Sequence, residues 1–292
     1  MTKPIVLTTG LNGLIGSKLA QSFQNKYHFK NLDLRDAQEP VDITNLTQVK
    51  KAFASCQAEA VVHLAAYTNV TGAWKQQDDQ SGPAYQVNVT GTENIIKACK
   101  QTCKHLIHVS TAYVFDGQKT KPYIETDQTN PIEWYGQTKL WAEELVKKTS
   151  IPWTILRIDQ PFRADQFGHK LDIAHRIIQG LKNQDLYPQF TNHYFGPTFI
   201  EDFVKVIDWV IRTKTTGLFH ASSGEQWTDY DFANLIKQTL NLHTEVEKGD
   251  LNKYLKTLDR PYQQNTALNC DKLKSQLDFK MNSIAEAVQK LH

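Results

Sequence analysis

No apolar run in this 292-residue chain approaches the roughly 18 residues needed to cross a bilayer, so the sequence predicts no membrane span. Met1, Thr2 and Lys3 lead straight into an apolar, strand-like segment, which leaves no room for a signal peptide. The expected location is therefore the cytoplasm. Neither sign of charge dominates: 33 Lys and Arg stand against 31 Asp and Glu, giving a net charge of +2 with the two signs interspersed. That distribution supplies no basic stripe, and nucleic acid is not an expected partner. Cysteine is sparse. Of Cys56, Cys99, Cys103 and Cys270, only Cys99 and Cys103 lie close together. Their C-x-x-x-C spacing, in a predicted helix, fits neither a zinc site nor a redox pair. These read as ordinary buried or half-buried thiols, and no metal site is expected. Internal repeats and low-complexity tracts are absent as well.

What is present is an alternation. The length suits one large α/β unit or a nucleotide domain with a smaller appended one. Residues 5–9 form a short β-branched run. The loop Gly10, Leu11, Asn12, Gly13, Leu14, Ile15, Gly16 follows at once, and Ile15, Leu19 and Phe23 then recur at helical spacing. Strand, glycine loop and helix in that order set helix N-terminal amides against a pyrophosphate. Gly10 permits the tight turn, Gly13 the close backbone approach and Gly16 the packing of helix on strand. A second strand over 29–34 ends near Asp33, about twenty residues past the loop, where a carboxylate accepts hydrogen bonds from an adenosine ribose. This favours NAD(H), while Arg35 leaves NADP(H) open. A helix around Val49 and Phe53 takes Asp42 or Thr44 as its cap. Asp42 and Ile43 are candidates for an adenine contact.

Residues 60–66 read as a buried parallel strand ending in Leu64, Ala65 and Ala66, where a dinucleotide would cross the carboxyl edge of the sheet. His63 lies inside it and reads as a satisfied core histidine. Residues 72–83 are expected to be an exposed loop. In the helix over 83–100, Asn88 is polar within a buried pattern, which fits either a helix-bending bond or part of a proton-conducting network. A strand over 106–109 carries Ser110 and Thr111 at its carboxyl end, the edge where chemistry sits in such sheets. A fifth strand over 153–158 is followed by Asp159 to Phe162, expected to hang over a nicotinamide. Past residue 162 the rhythm breaks. The predicted fold is α/β, a Rossmann-type doubly wound parallel sheet formed by 1–162 and 191–216. A smaller discontinuous lobe, 163–190 and 217–292, would bind substrate in the cleft between the two.

The stretch Tyr135-Gly136-Gln137-Thr138-Lys139 ties these parts together. A helix over 134–147 puts Tyr135 and Lys139 one turn apart on one face. A neighbouring ammonium draws a phenol pKa down from about 10 towards neutrality, so Tyr135 can exchange a proton with a carbonyl or alcohol oxygen. Thr111 can bond the same oxygen, with a nicotinamide opposite to carry the hydride. That is dehydrogenase chemistry.

The glycine loop, Leu64-Ala65-Ala66, Asn88-Val89-Thr90-Gly91-Thr92, the run from Ser110 to Gly117, and Tyr135 to Lys139 resemble, in order and spacing, the extended short-chain dehydrogenase/reductases. Within them the chain is similar to the dTDP-4-dehydrorhamnose reductase branch, which also contains the regulatory β subunit of methionine adenosyltransferase. The stretches 122–127 and 196–198 and the Arg260-Pro261 pair with Asn265 and Leu268 extend that resemblance over nearly the whole chain. The resemblance implies Tyr135 as proton donor, Lys139 lowering its pKa and binding ribose, Thr111 polarising the carbonyl, and the glycine loop with Asp33 holding the dinucleotide. Two segments depart from the branch. Residues 70–74 replace an acidic V-D-x-A-E stretch, and residues 159–162 replace an aromatic one.

The leading reading is a reductase of a keto group on a nucleotide-linked sugar. An epimerase of the same superfamily and a non-catalytic NAD(P)-binding regulatory subunit are the alternatives. A 4,6-dehydratase is disfavoured, because Ala112 and Tyr113 follow Thr111 where that group has carboxylates. Arg163, His169, Lys170, Arg176 and Arg260 are candidate phosphate anchors. Trp74, Phe162 and Trp227 are candidate aromatic liners of the cleft. A homodimer is one assembly the sequence allows.

Overall fold

The computed structural model describes residues 3–34, 36 and 39–291. Arg35, on which an NADP(H) preference would rest, lies outside them. The chain alternates from the start through β1 (Ile5–Thr9), α1 (Leu14–Phe23), β2 (His28–Leu32), α2 (Leu46–Ala54) and β3 (Ala60–His63). It goes on through α3 (Val70–Trp74) and α4 (Pro83–Tyr85), which runs through a π-helical turn (Gln86–Gly91) into α5 (Thr92–Thr102). Next come β4 (His105–Thr111), α6 (Trp134–Lys147), β5 (Trp153–Ile158), β6 (Pro161–Phe162), α7 (Ile173–Asn183), β7 (Gln189–Phe190), β8 (Tyr194–Phe195) and β9 (Thr198–Phe199). The remainder comprises α8 (Ile200–Thr213), β10 (Gly217–His220), β11 (Trp227–Thr228), α9 (Asp229–Thr239), β12 (Lys248–Gly249), α10 (Leu251–Leu255), α11 (Asp271–Lys274) and α12 (Ile284–Val288).

Six strands form one sheet in the order β2-β1-β3-β4-β5-β10. β1 pairs in parallel with both β2 and β3, and β3 in parallel with β4. The strand order therefore reverses between β1 and β3, the place where open α/β sheets bind nucleotides beyond their carboxyl ends. This is the doubly wound α/β architecture expected. One face of the sheet is closed by Val49 and Phe53 of α2, Ile95 and Cys99 of α5 and Val146 of α6, packed on Leu7, Val61, Leu106 and Ile155 of the strands. Burying each such side chain contributes roughly 1.5–3 kcal/mol.

Several local expectations change. The cap of α2 is Asn45, whose extended backbone precedes the helix and whose Oδ1 accepts from the Thr47 and Gln48 amides at 3.1 and 3.2 Å. Asp42 instead turns on Thr44, accepting from its amide and its hydroxyl at 2.8 Å. The second strand stops at Leu32, so Asp33 follows it directly. Residues 70–74 are helical because Asn69 caps them, accepting from the Gly72 amide at 2.9 Å, and Ala73 is fully buried. Cys56, Cys99 and Cys270 are buried free thiols, but Cys103 is exposed, in the left-handed residue that ends α5.

The chain divides into two compact units. The first comprises Met1–Val114, Glu133–Leu156 and Val204–Leu218; the second comprises Phe115–Ile132, Arg157–Phe203 and Phe219–His292. In the second, Phe115 stacks on Tyr123 with centroids 4.1 Å apart, and the Arg157 guanidinium lies 5.0 Å over Phe115. Its main core gathers Phe162, Ile177, Phe195, Phe199, Phe232, Ile236 and Val288. Phe162 is thus a fully buried core residue against Phe199 and Phe232 rather than a cleft liner. β6 carries it there by pairing with β9. Trp227 packs on the same core and donates its indole N–H to Glu225 at 2.9 Å. Among the described residues, no helix is long and apolar enough to cross a membrane.

Candidate active site

The glycine loop joins β1 to α1. Gly10 adopts φ +68°, and a Cβ there would lie 2.9 Å from the Ala65 amide nitrogen, so both its conformation and its close approach to the end of β3 require glycine. The tight packing expected of Gly16 is real but falls on the loop itself: a Cβ would lie 2.5–2.6 Å from Leu11 and the Gly10 carbonyl. Gly13 is the N-cap of α1 and offers no side-chain cap, while Asn12 is exposed beside it and Leu14 and Ile15 form the half-buried first turn. A glycine-capped helix start at the sheet's switch point fits the pyrophosphate of a dinucleotide.

The neighbouring strand ends are pinned to this loop. The Leu64 amide donates to the Thr9 carbonyl and the Ala65 amide to the Thr9 hydroxyl, both at 3.1 Å. Asn31 Oδ1 accepts from the Leu11 amide at 3.2 Å, a brace that the motif alone does not reveal. Asp33 is half-buried just past β2, and Ala66 is half-buried past β3. Ile43 is buried in the core, close enough to Gly91 that a Cβ there would lie 2.7 Å from it.

Thr111 ends β4, and Tyr135 and Lys139 lie in the first and second turns of α6. All three are buried. Glu133 caps α6, accepting from the Tyr135 amide at 2.8 Å and the Gly136 amide at 2.6 Å. Such a cap contributes about 1 kcal/mol and fixes where the helix begins. Gly136 is a further residue the spacing argument passed over: a Cβ there would lie 2.1 Å from the Tyr113 carbonyl oxygen. Its absence brings α6 against the segment after Thr111. The Tyr113 and Tyr135 rings meet edge to face at 5.8 Å, and Thr111 Oγ1 accepts from the Tyr113 amide at 3.2 Å.

The electrostatics differ from the expectation that Lys139 lowers the phenol pKa. Burial, and after it the Glu133 carboxylate, push the Tyr135 phenol up, while a hydrogen bond with Thr111 pulls it down. Lys139 is not among these influences. Its Nζ donates to the Val109 carbonyl at 2.8 Å and lies 3.4 Å from His108 Nε2. Burial lowers its own pKa to about 8, with Glu143 opposing. The phenol is therefore held protonated.

Beneath these groups His63 behaves as the satisfied core histidine expected. Thr92 spends its single hydroxyl proton on the Asn88 carbonyl at 2.7 Å, so His63 Nε2 donates to Thr92 at 3.0 Å and Nδ1 accepts from Thr9 at 2.6 Å. Burial lowers its pKa to about 3. Asn88, within the π turn, bonds the Tyr67 backbone and donates to Thr138 at 3.0 Å, and Thr138 donates to the Tyr135 carbonyl at 2.8 Å. One hydrogen-bond chain thus runs from the end of β1 to the first turn of α6.

In the second unit the five proposed anchors separate. Arg163 is ion-paired with Asp165 at 2.7 Å, and His169, Lys170 and Arg176 are exposed. Arg260 lies 5.0 Å over the Tyr262 ring, and its Nε is buried without a hydrogen-bond partner among the described residues.

A family model described as "RmlD substrate binding domain" matches residues 3–292. The chain is 29% identical over 262 residues to a dTDP-4-dehydrorhamnose reductase of Aggregatibacter actinomycetemcomitans, covering 88% of this chain and 86% of that one. It is 28% identical to the methionine adenosyltransferase 2 subunit beta of Bos taurus, covering 92% and 81%. Among solved structures, a dTDP-4-dehydrorhamnose reductase from Bacillus anthracis in complex with NADP shares the fold with a TM-score of 0.89, at 24% identity and 99% coverage of both chains.

Proposed function

The chain belongs to the RmlD substrate binding domain family, and on that premise we propose that it is an NAD(P)H-dependent reductase of a keto group on a nucleotide-linked sugar. The observation that carries this reading is the buried hydrogen bond between Thr111 at the carboxyl end of β4 and Tyr135 of α6, with the buried Lys139 of the same helix bonded to Val109 of β4. NAD(P)H supplies the hydride when bound. The protonated phenol of Tyr135 is the acid that a reduction needs, because the oxygen that gains charge must receive a proton. Thr111 bonds that oxygen, and Lys139 brings a positive charge to the ribose side. The glycine loop takes the pyrophosphate. Asp33, just past β2, takes the adenosine ribose hydroxyls and makes NADH the preferred form.

Arg260 is the anchor for the diphosphate, since its planar donors suit two phosphate oxygens and one of them lacks a partner. The likeness to the bovine methionine adenosyltransferase 2 subunit beta keeps a binding-only role as the second reading. Consumption of NADH is to be followed with matched keto compounds, with and without the nucleotide. The reductase reading expects turnover of the nucleotide-linked compound and a higher KM, with kcat little changed, in Arg260→Ala. Equal turnover of the bare keto compound overturns the nucleotide-sugar assignment. No turnover of either, with a larger enzyme copurifying, favours the regulatory role.

A further inference from the structure

Asp159, the first residue after β5, is 2% exposed and held from three directions. Its Oδ2 accepts from the Gly196 amide at 2.9 Å and from the Thr266 hydroxyl at 2.7 Å. Its backbone amide donates to Thr198 Oγ1 at 3.1 Å, and that hydroxyl donates to its carbonyl at 2.6 Å. Oδ1, by contrast, is buried with no hydrogen-bond partner among the described residues. Buried polar atoms are seldom left unpaired, so a carboxylate clamped through one oxygen with the other unused calls for a polar partner. The next residue, Gln160, has φ +36°, a left-handed conformation unusual for a side-chain-bearing residue.

The surroundings narrow what that partner is. Burial raises the Asp159 carboxyl to about 7, and the Gly196 and Thr266 hydrogen bonds, then the charge of His193 and the Gln160 amide, pull it back. His193 is itself clamped, with Nδ1 2.6 Å from Asp229 Oδ2, and its ring meets Tyr262 at 5.3 Å. Tyr262 in turn carries the Arg260 guanidinium over its face. The second unit therefore has a cationic, aromatic end at Arg260 and Tyr262 and an acceptor end at Asp159. A carboxylate oxygen repels phosphate and cannot bond a carbonyl, but it accepts from O–H or N–H.

We propose that Asp159 Oδ1 accepts a hydrogen bond from a ring hydroxyl of the substrate's sugar, so that Asp159 selects a hydroxylated ring attached to the nucleotide. This rests on the nucleotide-sugar reading above and adds to it the residue that distinguishes sugar from nucleotide. A donor on the base would fit the same oxygen, and an internal water would also satisfy it.

Calorimetry at pH 8 with thymidine diphosphate and thymidine diphosphate-rhamnose, on the full chain and on Asp159→Asn, separates these cases. The Gly196 and Thr266 donors hold the amide oxygen of Asn at the Oδ2 position, which forces its NH2 into the place of Oδ1. The variant therefore folds around the same bonds but presents a donor where the wild type presents an acceptor. The expected result is a roughly tenfold or greater loss of affinity for the sugar-bearing ligand, with thymidine diphosphate within about twofold of wild type. Equal weakening of both ligands assigns the oxygen to the nucleotide or to folding and overturns the proposal. No change in either assigns it to an internal water and overturns it as well. Wild-type protein that binds neither ligand overturns the nucleotide-sugar reading itself, and this inference with it.

Discussion

Lys139 donates to the carbonyl of Val109 at 2.8 Å, so the ammonium one turn after Tyr135 is anchored to β4 rather than to the phenol. Its pKa, lowered by burial to about 8, makes the charge sensitive to mild alkali. Below pH 8 the ammonium is intact, and above it the charge is lost.

Dinucleotide affinity should therefore weaken as pH rises from 7 to 9.5, with the midpoint near the Lys139 titration. Titrating NADH by fluorescence at each pH measures this, and Lys139→Met should bind weakly with a flat profile. The same shift acts on stability in the opposite direction. An unfolded lysine titrates near ~10.4, so between pH 8 and that value the unfolded chain binds the extra proton and this group's contribution to stability rises with pH. A pH-independent affinity in the wild type would contradict the role given to the charge.

Asp33 should make NADH bind more tightly than NADPH, because a 2′-phosphate placed beside a carboxylate is repelled. Paired calorimetric titrations decide it. Equal or tighter NADPH binding would show that another residue governs the adenosine end.

Gly136→Ala should cost roughly 1–3 kcal/mol of stability, because the added methyl meets the Tyr113 carbonyl oxygen at 2.1 Å and backbone must shift to admit it. Turnover should fall with it, since the Tyr113 segment carries Thr111. Thermal unfolding and NADH consumption measured on one preparation test both effects. An alanine variant as stable and active as wild type would mean that α6 is free to shift.

Most strands and helices of the first unit, though not α3, were legible because period and punctuation agree there: β-branched runs end in glycine or small residues, and α6 spans 134–147 as its apolar positions indicate. The meeting of Thr111 and Tyr135 was legible from motif order. Less legible were features that depend on which way a side chain turns. Lys139 faces a backbone carbonyl that no spacing rule identifies, and Glu133, unremarkable in sequence, both caps α6 and raises the phenol pKa. Phe162 was misplaced for a related reason. After β5 the chain pairs β6 with β9, thirty-odd residues away in sequence, and that long-range pairing carries the ring into a core that local pattern does not reveal.

The reductase account is tested most directly by Tyr135→Phe, assayed for NADH oxidation with a thymidine diphosphate-linked 4-keto-6-deoxy sugar. Removing the hydroxyl leaves the edge-to-face contact with Tyr113 available and takes away the acid together with its hydrogen bond to Thr111. The account predicts turnover reduced by roughly 10²-fold or more with NADH affinity near wild type. Wild-type turnover in that variant would contradict it.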